Sequence, residues 1–162
     1  MATNGGATPL YNAALNGQVD VIKELLKVLK PEERKDYLHM ECKDGLTPLW
    51  IAASNGYPNV IKELLKVLKP EERKDYLYMA DKDGATPLWI AARNGHSNVI
   101  REILEGLTPE ERVTYLHQGN NDGNTPLYIA QIHNHYNAVS LIKEYKAQES
   151  CCMWFSRNLG FG

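Results

Sequence analysis

The sequence specifies an all-α repeat solenoid: stacked helix-turn-helix units separated by turn or β-hairpin fingers, with an extra short helix in each unit. Three observations carry this reading. The tripeptide Thr8-Pro9-Leu10 returns at Thr47-Pro48-Leu49, Thr86-Pro87-Leu88 and Thr125-Pro126-Leu127, each time 39 positions further on, and self-similarity at such a period marks repeat architectures. Every unit opens on a Thr-Pro pair of the kind that starts helices. Its middle then spaces apolar residues three and four apart, as a helix with one buried face requires.

The period covers whole units. It superposes Gly6, Gly45, Gly84 and Gly123, then Ala13, Ala52, Ala91 and Ala130, then Val21, Val60, Val99 and Ala138, and residues 21–38 and 60–77 are identical throughout. A chain of 162 residues is the size of one domain. The units fall at about 5–43, 44–82, 83–121 and 122–147, leaving residues 148–162 as a C-terminal tail expected to cap the fourth unit.

Within a unit, Asp44-Gly45 and Asp83-Gly84 are tight-turn dipeptides, because glycine accepts the positive φ such turns need. In Thr47-Pro48 the hydroxyl can accept from an orphan amide of the first helical turn, while proline gives up a donor that has no helical partner. This first helix presents Leu49, Ala52 and Ala53 and stops near Gly56, a natural left-handed terminus. The second helix carries Val60, Ile61, Leu64, Leu65 and Leu68 against a charged face of Lys62, Glu63 and Lys66. Pro70-Glu71-Glu72 and Thr108-Pro109-Glu110-Glu111 then start a third, short helix, the latter as a capping box with acids at the positive end of the helix dipole. At the ends of the row, Asn12 in place of Ile51, Ile90 and Ile129 predicts a capped first unit. Asn134 in the glycine position predicts a left-handed helix end in the fourth.

The segment from Asp83-Gly84-Ala85-Thr86-Pro87-Leu88 through Ile90-Ala91-Ala92-Arg93-Asn94-Gly95-His96, followed by Val99-Ile100 and Ile103-Leu104, resembles the ankyrin repeat. The resemblance extends over roughly residues 5–145. Two features depart from it: Tyr11, Trp50, Trp89 and Tyr128 stand where the family has histidine, and the unit is longer than the usual repeat of about 33 residues. The added length falls around Pro-Glu-Glu-Arg, placing an added helix between the second helix and the next finger.

The resemblance implies a protein-protein interaction module, an adaptor or scaffold, that holds its partner by the finger tips and the concave face of the first helices. By motif position the contact residues are Lys43, Asp44, Leu46, Ser54 and Asn55, then Lys82, Asp83, Ala85, Arg93 and Asn94, then Asn121, Asp122, Asn124, Ile132 and His133. Tyr11, Trp50, Trp89 and Tyr128 are a candidate aromatic ladder, although packing between units is the preferred role, since large aromatics dominate core burial. The alternative is a targeting or substrate-recognition portion of a longer enzyme or membrane-associated protein, such as a bacterial effector acting in a host cytosol.

Other chemistries find little support. A formal charge of -2 creates no field that would gather nucleic acid. Cys42, Cys151 and Cys152 make a poor disulfide set, which points to a reducing, cytoplasmic compartment. Residues 1–10 lack an export signal, and no window is apolar enough to span a membrane, so membrane attachment would require acylation at Cys151 and Cys152. His133 and His135 are two positions apart and do not share a helix face. No metal, no cofactor and no catalytic residue are therefore expected, and the chain is expected to act as a single copy.

Overall fold

The computed structural model describes residues 7–42 and 44–158, with side chains described to residue 148. Eleven helices follow one another in the described residues: α1 (Pro9–Leu15), α2 (Val19–Val28), α3 (Pro31–Leu38), α4 (Pro48–Asn55), α5 (Pro58–Lys66), α6 (Pro70–Leu77), α7 (Pro87–Arg93), α8 (Ser97–Glu105), α9 (Pro109–His117), α10 (Pro126–Ile132) and α11 (Tyr136–Asn158). The first helices α1, α4, α7 and α10 pack in one row, and the second helices α2, α5, α8 and α11 in another. The three-helix unit is present, and the fingers are turns, with no strand among the described residues.

The helix starts follow the sequence chemistry. The amides of Tyr11, Trp50, Trp89 and Tyr128 donate to the hydroxyls of Thr8, Thr47, Thr86 and Thr125 at 3.1 to 3.3 Å. In α9 the full capping box forms: Glu111 donates its amide to Thr108 Oγ1 at 3.3 Å, and Thr108 donates its own to Glu111 Oε2 at 2.9 Å. Lys30 and Lys69 reproduce only the second half, donating their amides to Glu33 and Glu72, because a lysine side chain has no acceptor. Each third helix is clasped to the second by an arginine, with Nε of Arg34, Arg73 and Arg112 donating to the carbonyls of Leu26, Leu65 and Leu104.

Unit-to-unit packing is close at the end of each first helix. Gly56 has φ +77°, and a Cβ there would meet His96 Nδ1 at 2.7 Å. Glycine is thus required both by backbone conformation and by the approach of the next unit. His96 Nε2 lies 3.0 Å from the Ser54 carbonyl, and His135 Nε2 lies 2.9 Å from that of Arg93. Asn134 takes the left-handed conformation at φ 59°, as its place in the period predicts. The core between the rows is aliphatic: Val60, Ile61, Leu64, Val99, Ile100 and Ile103 are fully buried, each worth about 1.5–3 kcal/mol of transfer free energy.

The two ends of the stack differ from expectation. Asn12 is half-buried, and among the described residues α2 packs on α1 and α5 with its other side open. Val21 is 46% exposed and Val28 78% exposed, because residues 21–38 repeat an inner sequence at an outer position. At the other end α11 runs unbroken from Tyr136 to Asn158, packing on α8, α9 and α10. Tyr145, Lys146, Ala147 and Gln148 stand where Gly106, Leu107, Thr108 and Pro109 separate two helices in the third unit, so nothing interrupts it. The side chains of Cys151 and Cys152 lie outside the described residues.

Candidate binding surface

Each finger is a turn closed by two backbone bonds: Cys42 N to Leu46 O, Asp81 N to Ala85 O and Asn120 N to Asn124 O, all 3.1 Å, and Gly45 N to Cys42 O, Gly84 N to Asp81 O and Gly123 N to Asn120 O, at 2.8 to 3.0 Å. In the third unit Asp81 Oδ1 also accepts from the amides of Asp83 and Ala85 at 3.0 and 2.8 Å. In the fourth, Asn120 Oδ1 does the same for the amide of Asn124. Cys42 occupies this position in the second unit and lacks such an acceptor. The third and fourth fingers are stitched together, Asn121 donating its backbone amide to Asp83 O and its side-chain amide to Lys82 O, both at 3.0 Å.

The tryptophans bind fingers to helices. Trp50 Nε1 donates to Ala85 O and Trp89 Nε1 to Asn124 O, each at 2.8 Å, so each indole holds the finger of the following unit. Both rings are buried, and no ring contact joins them among the described residues. Tyr128, with no following finger among the described residues, is 49% exposed, and Tyr11 is half-buried beside Cys42. Burial, followed by the neighbouring thiol, pushes the Tyr11 phenol up to about 12. Arg93 lies with its guanidinium carbon 5.9 Å from the Trp89 ring centroid, a distance at which a cation is attracted to the ring face.

A concavity of about 420 Å³ lies between these fingers and the first helices. Trp50, Trp89, Ile90 and Ile129 contribute its apolar lining, Arg93 and His133 line it from α7 and the end of α10, and Asp81, Asp83, Asn121 and Asp122 come from the fingers. Of the sequence-derived contact residues, Asp83, Ala85, Arg93, Asn121, Asp122, Asn124 and His133 meet here. Asp44, Asn55, Lys82, Asn94 and Ile132 are exposed elsewhere, and Leu46 and Ser54 are half-buried. Lys43 lies outside the described residues.

Part of that set has a structural role. Ala85 is 3% exposed and its carbonyl is taken by Trp50, so its side chain offers almost nothing to a partner. Asn55 and Asn94 donate their side-chain amides to the carbonyls of Leu15 and Ser54 and act as bridges between units. The repetition of asparagine at the same place in three copies, Asn16, Asn55 and Asn94, was the available signal. Asp44, Asp83 and Asp122 are exposed and form no ion pair among the described residues. His133 and His135 stack with centroids 6.1 Å apart, and no group of three or more metal-ligating side chains comes together among the described residues.

A family model for ankyrin repeats in three copies matches residues 1–75 and again residues 67–151. The chain belongs to the ankyrin-repeat family. Ankyrin repeats are in general protein-protein interaction modules, and the fold is typically non-catalytic. No curated protein matches the chain. No helix among the described residues is long and apolar enough to cross a membrane.

Proposed function

We propose that this ankyrin stack is an adaptor or scaffold that holds a partner protein against its fingers and first helices, centred on the third and fourth repeats. The observation that carries this is the concavity between Trp89, Arg93 and the stitched fingers of Asp83 and Asp122. Its apolar lining is pinned by two indole hydrogen bonds, so docking orders little further chain, and preorganisation of this kind favours affinity. Its rim offers the carboxylates of Asp83 and Asp122, which form no ion pair among the described residues, and charges so placed supply specificity and register. The cysteine pattern supports a reducing, cytoplasmic setting.

The test uses a partner captured from lysate and purified. Arg93→Glu combined with Asp83→Lys and Asp122→Lys should weaken its binding at least about tenfold, or roughly 1.4 kcal/mol, with helicity and melting unchanged. Glu71→Lys, on the third helix of the second repeat, should have no effect. Equal loss with both variants, or loss with neither, would place the partner on another surface.

A further inference from the structure

The concavity between the third and fourth repeats has walls of opposite charge that do not meet. Asp83 and Asp122 stand exposed on the finger wall. Among the described residues, the one hydrogen bond to either carboxylate is a 3.4 Å contact from the Asn120 side-chain amide to Asp122 Oδ2. Arg93 stands exposed on the helix wall, its guanidinium carbon 5.9 Å from the Trp89 ring centroid. No ion pair joins it to any carboxylate among the described residues, so the space between the walls is open to a third body. The floor is nearly closed, since Trp50, Trp89, Ile90 and Ile129 are each at most 9% exposed. A partner meets little apolar surface there and reads the charged walls. We infer, resting on the docking surface proposed above, that the occupant is an extended segment of the partner protein with the charge order basic, acidic, basic, such as Lys-Glu-Lys.

Successive side chains of an extended chain point to opposite sides, so an acidic residue turned toward Arg93 sends both of its neighbours toward the fingers. Those neighbours lie about 6–7 Å apart along the strand. Packed helices set successive repeats about 8–10 Å apart, and the flexible four-carbon stems of two lysines close the difference. The finger spacing is held by Asn121, which ties the fourth finger to Asp83 O and Lys82 O of the third. In a helix the two basic residues would instead point apart, about 200° round the axis. Arg93 suits the central acid because its planar fork grips a carboxylate by two parallel hydrogen bonds.

Three labelled peptides, identical in their Gly-Ser flanks and carrying Lys-Glu-Lys, Lys-Lys-Lys or Glu-Lys-Glu at the centre, are titrated against the whole chain by fluorescence anisotropy. Lys-Glu-Lys should bind at least about fivefold more tightly than Lys-Lys-Lys, and Glu-Lys-Glu least of all. Arg93→Glu should invert the first preference, a switch of specificity produced by one charge. Asp83→Asn with Asp122→Asn should weaken both lysine-flanked peptides, and melting should be the same for every variant, since the three side chains are exposed. A general attraction to acidic fingers would instead favour Lys-Lys-Lys in the unaltered chain. That order overturns the proposal, as does an order that Arg93→Glu leaves unchanged or the absence of binding at millimolar peptide. The captured partner is read separately. If it is lost with the charge-reversed surface while the peptides fail, the docking surface stands and the charge order falls. If it is kept, the surface falls and this inference with it.

Discussion

Residues 21–38 and 60–77 are the same sequence in two settings, and their difference separates what the local chain dictates from what stacking supplies. Both copies start a third helix at proline, clasp it by arginine and donate the same amide to the same glutamate. Secondary structure is therefore written locally. Burial is not: Val60 and Tyr76 are fully enclosed while Val21 is exposed and Tyr37 half-buried. In a quasi-one-dimensional array each unit draws part of its stability from its neighbours, so the inner copy carries energy that the outer one lacks.

Substitutions at equivalent positions should expose that gap. Leu64→Ala removes a fully buried side chain and should cost about 2–5 kcal/mol in urea denaturation. Leu25→Ala, in the half-buried copy, should cost less than half as much. Equal costs would mean that the first repeat is covered in solution.

A second contrast lies in alkali. Burial pushes the phenols of Tyr76 and Tyr115 far above their ordinary value of 10.0, so the folded chain keeps protons that the unfolded chain releases. Their contribution is fully present below pH 10 and is lost as pH rises beyond it, at about 1.4 kcal/mol per pH unit for each buried tyrosine. Tyr76→Phe should lower the slope of stability against pH by one such increment, measured by denaturant titration on the alkaline side. An unchanged slope would mean that the Tyr76 pocket admits hydroxide or opens before it titrates. The smallest effect is expected at the ion pair. Lys35→Ala removes an exposed contact to Asp75 and should cost at most about 0.5 kcal/mol, and a larger loss would show the third helices to be coupled more tightly than their exposure implies.

Much of the fold was legible because its determinants are close in sequence. Thr47 caps a helix three residues on, and Asn134 adopts φ 59° by virtue of its own side chain. The unbroken α11 follows from the loss of Gly106 and Pro109 equivalents at Tyr145 and Gln148. What could not be read are relations across units. That Trp50 would donate to a carbonyl 35 positions away, or that Ala85 would vanish beneath it, depends on the distance between a helix and the next finger, which no periodicity encodes. The exposure of Val21 was hidden for the opposite reason: an identical sequence gives no hint of which copy stands at the end. The binding surface was legible as a region, while the stitching of Asn121 to the third finger, which holds that region in shape, rests on an asparagine where the other repeats carry Lys43 and Lys82.

The indole clamps also make the stack a mechanical element. Each one ties a helix to the following finger, so a pull along the array loads hydrogen bonds and packed rings together at Trp50 and Trp89. Tyr11 and Tyr128 have no indole to share the load. Under tension the middle of the array should stretch as one stiff spring while the first repeat, joined to the second without an indole clamp, peels away first, making extension stepwise and directional rather than gradual.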